Sequence, residues 1–115
     1  MLELTLSSKD GIPVATTKGN LDGSAREAFR EKLHPLVGQR GARLIVDLSG
    51  SERVNSAGIG NLVALTADAN TNDSRVVYCN MTPYVSTVIG VTKLDKYFHV
   101  ASDVEAAVKV CQENV

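Results

Sequence analysis

Tryptophan is missing from this 115-residue chain, and histidine, cysteine and methionine occur only twice each. His34, His99, Cys79 and Cys111 show none of the spacings at which these side chains hold zinc or an iron–sulfur cluster, so no metal or other cofactor is expected. The cysteines form no C-x-x-C pair, which fits a reducing interior, and a cytoplasmic location is expected. An excess charge of either sign is also lacking. Twelve Lys+Arg stand against thirteen Asp+Glu, a formal charge of -1, which leaves nothing to neutralise a phosphate backbone and argues against nucleic-acid binding. Charges interrupt every apolar run well short of the ~18 residues of a membrane helix. Met1-Leu2-Glu3-Leu4-Thr5 has neither the basic start nor the apolar stretch of a signal peptide, so no direct membrane insertion is expected. What is present is ordinary: 43% hydrophobic and 22% charged residues, the composition of a soluble globular domain rather than of a disordered chain, collagen or a coiled coil. The length suits one domain, and roughly two-thirds of the unfolded surface of such a chain can be buried.

Leu2, Leu4 and Leu6 alternate with polar residues as in a half-buried strand, and Lys9-Asp10-Gly11 is a turn signal leading into a second strand from Ile12 to Gly19. Ser24 and Glu27 have capping-box spacing, so a first helix is expected to start at Ser24. Pro35 should kink or end it near His34. Leu44-Ile45-Val46-Asp47-Leu48 reads as a central strand covered on both faces. A polar loop, Ser49 to Asn55, leads to a helix beginning at Ser56 with Ile59, Leu62, Val63 and Thr66 as its stripe. Arg75 to Cys79 is the next strand, and Thr82-Pro83 looks like a cap followed by proline at the first helical position. Tyr97 to Val100 is predicted as a last strand, and Ser102 with Glu105 as the capping box of a closing helix. This alternation of strands and helices produces an α/β domain with a mixed, largely parallel sheet, its one antiparallel pair being the leading hairpin.

The unusual segment runs from Asp47 to Gly60. A buried strand ends, a polar loop crosses the carboxyl edge of the sheet, and a helix starts at a serine followed by Ala57, Gly58 and Gly60. Open α/β sheets place their sites at this edge, small residues allow close approach, and a helix N-terminus favours an anion. Enzyme motifs are absent. No Gly-Lys-Ser/Thr follows a glycine loop, Val63 occupies the third position of a dinucleotide fingerprint, and Val54 stands where a hydrolase elbow needs glycine. Neither histidine is tied by a motif to Ser56, so no catalytic residue is assigned.

The stretch Asp47-Leu48-Ser49 … Asn55-Ser56-Ala57-Gly58-Ile59-Gly60 resembles the signature of the anti-sigma factor antagonists of the STAS domain family. Gly19-Asn20-Leu21-Asp22, Asn80-Met81-Thr82-Pro83-Tyr84-Val85, Leu94 to Phe98 and Asp103 to Ala107 are similar to further family segments, in the same order. Three positions depart from the pattern: Asn55 stands where aspartate is usual, and Ser51 and Arg53 where apolar residues are common. The resemblance implies a single STAS-like domain over residues 1–115, a largely parallel sheet with about four helices, and no enzymatic activity of its own. It implies that Ser56 is phosphorylated by an anti-sigma factor that is a serine kinase, that the unmodified form binds that kinase and frees a sigma factor, and that a phosphatase acts on Ser56. Implied partner contacts are Asn20, Asp22, Ser24, Asn55, Ser56, Gly58, Ile59 and Asn61. The alternative is a STAS scaffold or accessory subunit in a stress-signalling or lipid-transport complex without a phosphorylation cycle. Nucleotide binding at the Ser56 helix end is a third class, but a lysine clamp is missing there.

Overall fold

In the computed structural model, which describes residues 2–113, the segments rich in branched residues form five strands. They are β1 (Glu3–Lys9), β2 (Ile12–Lys18), β3 (Arg43–Gly50), β4 (Arg75–Cys79) and β5 (His99–Ala101), paired in the order β1-β2-β3-β4-β5. β1 and β2 are antiparallel and the remaining pairs parallel. Asp10 and Gly11 both have positive φ, as a two-residue hairpin turn with the twist of its strands requires. Each parallel crossover moves the chain one strand onward in the same direction, so a constant hand lays three helices on one face. These are α1 (residues 23–37), α2 (Ser56–Thr71) and α3 (Pro83–Val91). α4 (Val104–Gln112) covers the other face.

Two cores result. The larger packs Phe29, Leu33, Leu62, Leu65, Val85 and Ile89 of the three helices against Leu44, Val46, Leu48, Val76 and Tyr78. The smaller packs Ala107, Val108 and Cys111 of α4 against Val14, Ile45, Val77 and Cys79. Alternate residues of β3 thus enter opposite cores, which is why its sequence is a continuous apolar run. Buried Tyr78 donates its hydroxyl to the Leu62 carbonyl at 3.0 Å and lies 3.0 Å from Thr66 Oγ1, which ties α2 to the sheet.

Burial pushes the Tyr78 phenol well above its ordinary value, and burial followed by the Asp47 charge pushes the Cys79 thiol up to about 12. Both groups are neutral when protonated, so the unfolded chain ionises first as pH rises. Their contribution to stability is full below the unfolded values, 9.0 for the thiol and 10.0 for the phenol, and is lost above them. The urea midpoint should therefore fall between about pH 8.5 and pH 11, less steeply in Cys79→Ala and in Tyr78→Phe. A midpoint flat across that interval would contradict the assignment.

Four local expectations are corrected. Leu6 is 48% exposed, because the helical cover reaches Leu2 and Leu4 on that row of the edge strand but stops short of Leu6. α1 starts earlier than Ser24, with a 3-10 turn Gly23–Ala25 capped by Asp22, and no capping box with Glu27 forms. It continues through Arg26–Ala28, a π turn Phe29–Leu33 and a last α turn His34–Val37. The His34 N–H reaches back to the Phe29 carbonyl, a widened turn immediately before Pro35, and the helix ends at Val37. Residues 94–96 form a 3-10 turn, so β5 is only His99–Ala101. Finally, Asp103 rather than Ser102 caps α4, accepting from the Ala106 N–H at 2.8 Å.

Candidate functional site

Beyond the carboxyl ends of β2 and β3 the two chains stay joined. The Gly19 N–H donates to Gly50 O at 3.0 Å, Leu21 N–H to Arg53 O at 2.9 Å, and Asn55 N–H to Leu21 O at 3.1 Å. Leu21 and Val54 form an isolated parallel bridge, so the loops behave as a short extension of the sheet past an irregularity between Thr16 and Lys18. Beneath them the buried Thr17 and Ser51 hydroxyls lie 2.7 Å apart. Ser51 thus occupies its interior position as half of a polar pair.

Two glycines allow this close approach. A Cβ on Gly50 would lie 2.2 Å from Thr17 O, and one on Gly58 would lie 1.8 Å from Leu21 O. Gly58 is buried, so its small size serves contact between α2 and the chain's own 19–22 loop. Asn61 Nδ2 adds a bond to Asp22 O at 3.0 Å. Asp22 Oδ1 accepts from the Ser24 N–H at 2.9 Å and from the Ser24 hydroxyl, and these bonds hold its carboxyl below the ordinary carboxylate range.

α2 begins on this frame. Asn55 is extended, and its Oδ1 accepts from the Gly58 N–H at 2.9 Å, so Asn55 is the cap. Ser56 is the first helical residue, as expected, and it is exposed. Its hydroxyl is free of capping duty at the positive end of a 16-residue helix. Asn55→Ala should cost about 1 kcal/mol of stability, measurable as a lowered denaturant midpoint. Asn55→Asp should restore it, since a carboxylate accepts the same bond and complements the dipole.

Asn20, Asp22 and Asn55 come together around a depression of about 230 Å³, which Arg53 and Tyr84 also line. Ser24 joins them through Asp22, and Asn61 holds that loop to α2. Ile59 is half-buried against the larger core. Tyr84 was not singled out from sequence as a site residue. It stands in the first turn of α3, which Thr82 caps by accepting from the Val85 N–H, and the Arg53 guanidinium lies 5.2 Å from its ring centroid. The Thr82-Pro83 signal, read together with the position of β4 beside β3, contains that placement. The histidines lie elsewhere: His34 Nδ1 is 2.9 Å from Asp68 Oδ2 between α1 and α2, and His99 is on β5. Among the described residues, no helix is long and apolar enough to cross a membrane.

The family described as "Mlab, STAS domain" matches residues 4–104. A protein of Bordetella bronchiseptica, BtrV, provisionally named an anti-sigma factor antagonist, is 24% identical over 106 residues, covering 92% of this chain and 91% of its own. The crystal structure of an anti-sigma factor antagonist from Mycobacterium paratuberculosis has the same fold, with a TM-score of 0.82 at 20% identity, over 98% of this chain and 96% of the other. So does the Bacillus protein SpoIIAA in its phosphorylated form, with a TM-score of 0.69 at 22% identity, over 94% and 99% of the two chains.

Proposed function

Because this chain belongs to the STAS domain family, we propose that it is a phosphorylation-controlled anti-sigma factor antagonist whose switch is Ser56. The unmodified protein binds an anti-sigma factor serine kinase in the cytoplasm through the loops carrying Asn20, Asp22, Ser24 and Asn55 and the first turns of α2, up to Asn61. It thereby releases a sigma factor. The kinase phosphorylates Ser56, a phosphatase reverses this, and the chain itself catalyses nothing. The observation that carries the reading is an exposed serine hydroxyl at the first position of α2, with the cap supplied by its neighbour. A kinase can reach that oxygen without unfolding the helix. The existence of a phosphorylated form of SpoIIAA, which shares the fold, supports it.

The test is incubation with the partner kinase and Mg-ATP. One added phosphate mapped to Ser56, and absent in Ser56→Ala, is the expected result. An active kinase that binds the protein but leaves Ser56 unmodified would reject the switch. That outcome would favour a second reading, an accessory STAS subunit that docks without a phosphorylation cycle. The stacked Arg53–Tyr84 pair beside Asn55 gives such docking an anchor that needs no modification.

A further inference from the structure

A second concave surface lies at the opposite end of the sheet. A cavity of about 640 Å³ is lined by Arg40, Arg43, Arg75 and His99 together with Asp73 and Asn70. Arg43 and Arg75 are the first residues of β3 and β4, whereas the Ser56 loop follows the carboxyl end of β3. The two surfaces are therefore separated by roughly the length of a strand, on the order of 25 Å.

Arg43 and Arg75 are paired across the parallel ladder, so both side chains leave the sheet on the α4 face, and His99 follows on that face opposite Val77. Two like charges side by side on neighbouring strands disfavour a sheet unless something engages them. Their visible partners are neutral. Arg43 Nε donates to Cys111 O at 3.0 Å and its Nη1 to Ala42 O at 3.0 Å and Gly41 O at 3.2 Å, which leaves Nη2 free among the described residues. Arg75 Nη1 donates to Val110 O at 2.6 Å, and the bonds to Cys111 O and Val110 O cap the end of α4. Among the described residues, neither guanidinium is in an ion pair; Asp73 is paired with Arg40 at 3.3 Å, and Glu113 acts on His99 from outside the lining. Arg75 is only 7% exposed, yet Nε and Nη2 have no acceptor among the described residues. Since no buried polar atom there is left unpartnered, these nitrogens open onto the cavity.

We infer that this cavity is a binding site for a phosphate-bearing small anion, gripped by the Arg43 and Arg75 guanidiniums with Arg40 at its exposed side. The free Nε–Nη2 fork of Arg75 matches two phosphate oxygens and Arg43 Nη2 adds a third donor, while the volume falls in the range of small-molecule sites. Burial and the Arg75 charge hold His99 below its ordinary range, so its imidazole stays neutral at pH 7 and adds a polar but uncharged wall.

The experiment is a 1H–15N titration of the whole protein with inorganic phosphate and, separately, with adenosine monophosphate. Saturable shifts confined to residues 40–43, 70–75 and 99 are expected, with saturation by phosphate alone marking a site for the free ion and saturation only by the ester marking one for a phosphorylated metabolite. Arg43→Gln should weaken binding about tenfold, and Arg40→Gln, at a side chain 87% exposed whose loss should leave the melting temperature unchanged, about threefold at low salt. Should Arg43→Gln fail to fold, the titration and Arg40→Gln decide. Shifts centred on residues 55–59, a linear drift at all surface cations, or no saturation with either probe would overturn the assignment.

Discussion

Gly58→Ala is expected to destabilise the fold more than any other single-methyl addition to α2. The added carbon would lie 1.8 Å from Leu21 O, 2.3 Å from Leu21 C and 3.0 Å from Asp22 N, all backbone atoms. None can rotate away. Leu21 is fully buried, its N–H is bonded to Arg53 O, and its carbonyl accepts from Asn55. Either α2 must lift off the sheet or the 19–22 loop must detach from the 53–55 loop. Overpacking of this kind costs about 1–3 kcal/mol or more, and each kcal/mol lowers the melting temperature of a domain near this size by about 4–8 °C. Gly60→Ala is the matched comparison: nothing lies within 4 Å of its Cβ position, and alanine there should stabilise the helix by about 0.5–1 kcal/mol. Thermal melts of the two variants should move in opposite directions. Equal midpoints would mean that the contact between α2 and Leu21 is not as tight as the structure has it. Because the same contact aligns Asp22 with Asn55, Gly58→Ala should also weaken partner binding beyond its loss of stability.

Ser56→Asp should not lower the melting temperature, and should raise it by about 1–8 °C, while reducing affinity for the kinase partner about a hundredfold, equivalent to ~2.7 kcal/mol. The two effects separate for an electrostatic reason. Within the chain, a negative charge in the first turn of α2 meets the positive end of the helix, a favourable term of about 0.3–1 kcal/mol. At a docked interface the same charge is desolvated without a partner and adds to the ionised Asp22 carboxylate on the neighbouring loop. A phosphoryl group, with about -1.5 to -2 charges, should act more strongly than aspartate. Calorimetry with the partner kinase measures the affinity and a thermal melt the stability. Unchanged affinity would defeat the switch; a collapse of the melt would show that the site and the fold are not independent.

Much of this was legible in the chain because the signals were local. The period of Leu44 to Leu48, the Asp10-Gly11 turn and the Thr82-Pro83 cap each depend on residues within one turn or one strand, and each stands where expected. The helix starts were less legible. Ser24 and Ser102 were read as capping residues, yet Asp22 and Asp103 do the capping. Side chains one or two residues apart compete for the same N–H groups, and the backbone angle of the preceding loop decides between them. Leu6 shows the same limit for burial, since alternation reports a face and not how far the cover extends along it.

The family, the order of elements and the position of Ser56 were determined by sequence alone, since short-range periodicity and a motif of contiguous residues carry them. Tertiary structure decided what had no short-range signature: that Gly58 abuts Leu21, that Arg53 stacks on Tyr84 from another loop, and that Arg43 and Arg75 share one cavity. Each of these joins residues more than 30 positions apart, and only the register of the sheet brings them within reach.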